Sequence, residues 1–119
     1  APGIAIGCRM PLRYVAEMVC DRRAACMAYH GTAYTQADAW QYYERTRSRV
    51  IMHEDTRAVL EKALWIMKEE GEEACFGFLR RLLGITKGAD YTAESLGLTH
   101  EPLGDGRAEE EWMSKHLQR

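Results

Sequence analysis

The chain has 119 residues, 46% hydrophobic and 29% charged, which excludes a disordered tract and suits one domain of ordinary size. Sixteen basic residues against eighteen acidic ones leave a formal charge of -2, without the basic excess that marks most nucleic-acid binders. No apolar run approaches a membrane span, and the four cysteines lack the spacing of a secreted disulfide framework. The expected setting is therefore a reducing cytoplasm. The opening stretch, APGIAIGC, is too short for a signal peptide and lacks its basic flank. It has no initiator Met, and is expected to be a processed end or the edge of a fragment.

Pro11 suits the first turn of a helix, where its missing N–H is not needed. The spacing predicts a first helix from about Leu12 to Tyr29, closed by Gly31 as a left-handed cap. Leu12, Val15, Val19 and Cys26 form one apolar row, and Tyr14, Met18, Ala25 and Tyr29 form a second beside it. TQAD resembles a capping box in which Thr35 accepts from the backbone N–H of Asp38, with Asp in place of Glu weakening the reciprocal bond. A second helix then carries Ala39, Trp40, Tyr43 and Thr46 inward and ends near Arg49. Val50, Ile51 and Met52 make a bridge too short for a strand.

Glu54 and Asp55 favour a helix start, so a third helix is expected from about Glu54 to Glu70. Its buried stripe is Val59, Leu60, Ala63, Leu64 and Met67. Gly71 stops it, and Glu72 and Glu73 open a fourth helix with Cys75, Phe78, Leu79, Leu82 and Leu83 inward. Gly84 should end that helix, placing Arg80 and Arg81 in its last turn. Beyond it the chain turns rich in Gly and Pro, with one short helical turn near Ala93. RAEEEWMSKHLQ, residues 107–118, is compatible with a last helix. The expected fold is all-α: a small irregular bundle of four main helices at 1–84, then a loop-rich tail at 85–119.

Four groups invite chemistry. Cys26 and His30 stand four apart, half of a zinc site, yet no CxxC or HxxxH supplies the rest. Glu17 and Asp21 share a helix face and can hold a divalent cation if other ligands converge, although a solvated acidic face is the commoner outcome. His53 has the acid–base range of a catalyst, but its place before a helix favours a capping role. Trp40, Tyr42 and Tyr43 hint at a stacking platform, and helical spacing without a basic surround favours core packing instead.

MPLRYVAEMVCDRRAACMAYHG, AYTQADAWQYYERTRSRVIMHEDTRAVLEKAL and EEGEEACFGFLRRLL together resemble the C-terminal half of an uncharacterised domain-of-unknown-function family from Gram-positive gut bacteria and their phages. The likeness covers roughly Met10 to Leu83 and is strongest at EMVCD and MHEDTR. That family's N-terminal half has histidine-rich helices with a His-Asp doublet, an order similar to HD-type metal phosphohydrolases. The resemblance implies a divalent metal, with Asp21 as its last ligand and Glu17 beside it. This chain departs from the pattern: it has no His-Asp doublet, and His30, His53, His100 and His116 are scattered.

Two readings follow. One is a fragment or shortened member of an HD-like metal-dependent phosphohydrolase family, with Asp21 facing the space where missing helices would pack. The other is a non-catalytic helical interaction module, homodimeric or bound to a host protein and encoded by a phage or prophage. In the first, Ala24 and Ala28 form the face on which those helices would dock. Neither nucleic acid nor a membrane is an expected partner.

Overall fold

Helix α3, Glu54–Glu70, is the rod around which the rest is built, in a computed structural model that describes residues 8–98. The expected stripe of Val59, Leu60, Ala63, Leu64 and Met67 is buried, and so are Thr56, Ala58, Glu61, Trp65 and Ile66 on its other sides. The helix is enclosed because α1 (Leu12–His30), α2 (Asp38–Thr46) and α4 (Glu72–Thr86) all pack on it. His53 starts α3: its Nδ1 accepts from the backbone N–H of Asp55 at 3.1 Å, which satisfies one donor orphaned at the helix start. Trp40 of α2 meets Trp65 of α3 edge to face, with ring centroids 5.2 Å apart, an arrangement that suits the ring quadrupoles.

The first apolar row of α1 is buried as expected: Leu12, Val15, Val19 and Cys26. The second row is not. Tyr14 and Met18 are half-buried, whereas Ala25 is exposed and Tyr29 is 87% exposed. That side of the end of α1 borders open space between α1 and α2. Gly31 ends α1 at a positive φ of 56°, and a 3-10 turn, Gly31–Ala33, leads away from it.

The capping arrangement at α2 keeps the expected reciprocal bond and replaces the forward one. The Thr35 hydroxyl donates to Asp38 Oδ1 at 3.0 Å and the Thr35 backbone N–H donates to Asp38 Oδ2 at 3.0 Å. The Asp38 N–H goes to the Thr35 carbonyl instead, at 3.1 Å. The helical chain continues after Thr46 as a 3-10 turn, Arg47–Arg49, and Val50 then turns extended. Val50, Ile51 and Met52 are a bridge, and no strand occurs among the described residues.

Gly71 joins α3 to α4 with no other loop residue, at φ 102° and ψ 169°, a region essentially confined to glycine. Helix α4 overruns its expected stop. Gly84 is helical and exposed, and the left-handed residue is Lys87, at φ 49°, whose N–H reaches the Leu83 carbonyl at 2.9 Å. Arg80 and Arg81 therefore lie before the last turn, not in it.

The chain beyond α4 returns to the body. Tyr91 and Ala93 are buried, and Tyr91 joins the same hydrophobic cluster as the helices. Its hydroxyl donates to the Met10 carbonyl at 2.6 Å and lies 3.2 Å from the Thr56 hydroxyl. The expected turn at Ala93 is present, with the Leu98 N–H on the Ala93 carbonyl at 2.8 Å. The proposed helix at 107–118 lies outside the described residues. No described helix is long and apolar enough to cross a membrane.

Candidate functional site

One face of α1 carries Arg22, Cys26 and Tyr29, spaced four and then three residues apart, with His30 at the helix end. Tyr42 and Arg45 stand three apart on α2. These side chains, with Ala25, line a cleft of about 560 Å3 between the two helices. That volume falls within the range of small-ligand sites, about 300–1,000 Å3.

The cleft is cationic and aromatic. Arg22 is half-buried, its guanidinium carbon 5.7 Å from the centroid of the Tyr43 ring. Its Nε is buried without a hydrogen-bond partner among the described residues, and burial pushes its pKa down. The Arg45 guanidinium lies 6.0 Å from the centroid of the Tyr42 ring, an exposed cation–π contact that favours this placement. Neither arginine forms an ion pair with a described residue. The His30 ring is set edge-on to Tyr29 at 5.3 Å, and its Nε2 is 3.9 Å from Asp38 Oδ2. Cys26 is 8% exposed, and burial pushes its thiol up, followed by the Asp38 charge.

Beneath Arg22 lies a buried polar chain. Tyr43 donates to Glu61 Oε1 at 2.6 Å, and Arg57 Nη1 donates to the Tyr43 oxygen at 2.9 Å. Arg57 Nη2 also holds the Val50 carbonyl at 2.7 Å. Glu61 is 2% exposed, and burial pushes its carboxyl up to about 7 against the pull of Tyr43, Arg57 and Arg47.

A second cavity, of about 440 Å3, opens where the chain enters α1 and includes Arg9, Arg13, Leu83, Asp90 and Tyr91. Of its two arginines, Arg9 is matched by carboxylates, donating from Nε to Asp55 at 3.1 Å and from Nη1 to Asp90 at 2.7 Å, while Arg13 donates to the Tyr14 hydroxyl at 3.1 Å. The Arg23 guanidinium is matched in the same way, bonded through two nitrogens to Glu72, which also accepts from Tyr34 at 2.6 Å.

Glu17 and Asp21 are both exposed on α1. A helix turns 100° per residue, so Asp21 lies about 100° around the axis from Arg22. No three His, Cys, Asp or Glu side chains are grouped to hold a metal among the described residues. His53 is occupied as the α3 cap. Ala24 and Ala28 are exposed.

Trp40 and Tyr43 are core residues as expected, but Tyr42 is 49% exposed and lines the cleft. It falls one residue off the buried row of Trp40 and Tyr43. Sequence reasoning also missed Arg22, Tyr29 and Arg45 as a group. The signal was present on each helix separately, and only the pairing of α1 with α2 brings the two halves together. Glu61 gave a weaker signal: an acid inside an apolar stripe.

The cleft lies wholly within the stretch, residues 5–66, that matches a family of unknown function, DUF5662. The chain belongs to the DUF5662 family. The match covers more than half of the chain and takes in α1, α2 and most of α3. It ends at residue 66, short of the Leu83 limit expected from the sequence. The DUF5662 match therefore includes every residue of the cleft and leaves α4 outside. No curated protein and no solved structure matches the chain.

Proposed function

We propose that this DUF5662 chain is a non-catalytic binding module whose α1/α2 cleft holds a small anion of the phosphate type. One observation supports the reading: Arg22 and Arg45 line one cleft, and neither pairs with a carboxylate among the described residues. A half-buried guanidinium without a counter-charge is costly. A bound oxyanion offsets that cost, and the planar fork of arginine suits its oxygens. Inorganic phosphate titrated into the full chain should shift the NMR signals of cleft residues saturably. Arg22→Ala should remove that response, and added salt should weaken it. Non-saturating shifts spread evenly over the surface would dismiss the site.

A second reading is an HD-like metal-dependent phosphohydrolase, with Asp21 as a metal ligand and Glu17 as its neighbour. The resemblance at EMVCD supports it, as does the location of both acids on the helix that carries Arg22. It requires Mn2+-dependent hydrolysis of p-nitrophenyl phosphate that Asp21→Ala abolishes; absence of turnover leaves the binding module alone. The exposed Ala24 and Ala28 are the face on which a second copy or a host protein would dock. Light scattering across a concentration series reads self-association there. The four free thiols suit a reducing cytoplasm.

A further inference from the structure

Among the cleft side chains that the anion reading leaves unused, two are tyrosines. Tyr29 is 87% exposed and Tyr42 is 49% exposed, although tyrosine usually buries its ring edge or face. Each is already oriented by a neighbour: Tyr29 by the His30 ring at 5.3 Å, and Tyr42 by the Arg45 guanidinium at 6.0 Å. Aromatic faces beside an oxyanion site suit a ligand that carries a flat ring next to its charge. Two guanidinium groups match a dianion better than a monoanion, which favours a phosphate monoester over a carboxylate. The space of about 560 Å3 accommodates a ring and a phosphate together.

We infer that the cleft takes a small phosphate monoester bearing a planar aromatic ring, with Arg22 and Arg45 on the phosphate and Tyr29 and Tyr42 against the ring. The inference rests on the anion reading above and assigns the rest of the ligand. Tyr29 and Tyr42 are here specificity residues: they discriminate between esters.

The test compares three probes on the full chain by NMR titration: inorganic phosphate, glycerol 3-phosphate and phenyl phosphate. Phenyl phosphate should bind about tenfold tighter than glycerol 3-phosphate, the gain of one modest stacking contact. Tyr29→Ala and Tyr42→Ala should each erase most of that advantage, read as the ratio of phenyl phosphate to glycerol 3-phosphate affinity within the same variant. Tyr42→Phe should retain it, because the ring and not the hydroxyl is used. Benzoate should bind at least about tenfold more weakly than phenyl phosphate, since it brings one negative charge in place of two. Equal affinity for phenyl phosphate and glycerol 3-phosphate, with inorganic phosphate still bound, would overturn the ring assignment and spare the anion site. Failure of all three phosphates to bind would overturn both. Benzoate binding as tightly as phenyl phosphate would overturn the choice of phosphate.

Discussion

Where the chain enters α1, Arg9 is spent on structure; a little past the middle of that helix, Arg22 is not. Arg9 bridges Asp55 and Asp90, Asp55 accepts from the Ala93 N–H at 2.8 Å, and Met10 donates to the Thr56 hydroxyl at 2.8 Å. This clasp ties the first and last described segments to the start of α3, and the charges of Arg9 and Asp55 are met by opposite ones. Around the cleft, by contrast, Arg22 and Arg45 have aromatic neighbours and no carboxylate partner among the described residues. The fold has acids to spare on α1, Glu17 and Asp21, yet it leaves them exposed and away from those arginines. Paired charge ties the clasp together, whereas at the cleft the proposed anion would supply the counter-charge.

The scale for breaking this contrast is set by the core the two regions share. Leu64→Ala, at a fully buried position of α3, should cost about 2–5 kcal/mol in urea denaturation. A loss under about 1 kcal/mol would show that α3 is not the central rod.

Glu61 tests the floor of the cleft next. Its carboxyl is pushed up to about 7 in the folded chain from an ordinary 4.5, so the folded state binds the extra proton. Stability is then greatest below the unfolded value and falls as pH rises from about 4.5 to 7, by at most about 3 kcal/mol. Glu61→Gln should flatten that slope; an unchanged slope would mean that another group titrates.

The clasp should respond with the opposite sign. The Ala93 N–H, then Arg9, holds the Asp55 carboxyl below the usual range, so its contribution is present at neutral pH and lost as pH falls through the folded value. Asp55→Ala should cost about 1–3 kcal/mol at pH 7 and progressively less in acid.

The smallest stability effect belongs to the cleft. Arg45→Ala should move stability by no more than about 0.5 kcal/mol, and Arg22→Met by less than about 1 kcal/mol in either direction. A loss as large as that of Asp55→Ala would make Arg22 a structural cation like Arg9, and the contrast between the two regions would disappear.

The helices were legible because their signals are local. The three-and-four stripe of α3, the acids at its start and the glycine at its end act within a few residues, and the observed span Glu54–Glu70 is the expected one. The miss at Gly84 has a local cause too: an exposed glycine is tolerated inside a helix, and the left-handed conformation passed to Lys87. Burial at Tyr29 and Tyr42 was not legible, because it depends on which neighbour covers a row, and both border the cleft between α1 and α2. Tyr91 was missed for the converse reason: its hydroxyl finds Met10 and Thr56, partners 81 and 35 residues away.

The sequence by itself determined the helical rods, most of their ends and the residues on their greasy stripes, because hydrogen bonding and side-chain periodicity along one helix need no distant partner. Tertiary structure alone decided which arginine is neutralised and which stands open, since ion pairing depends on side chains that meet only after the helices pack. Arg22 and Arg23 are adjacent in the chain, and packing gave Glu72 to one and the cleft to the other.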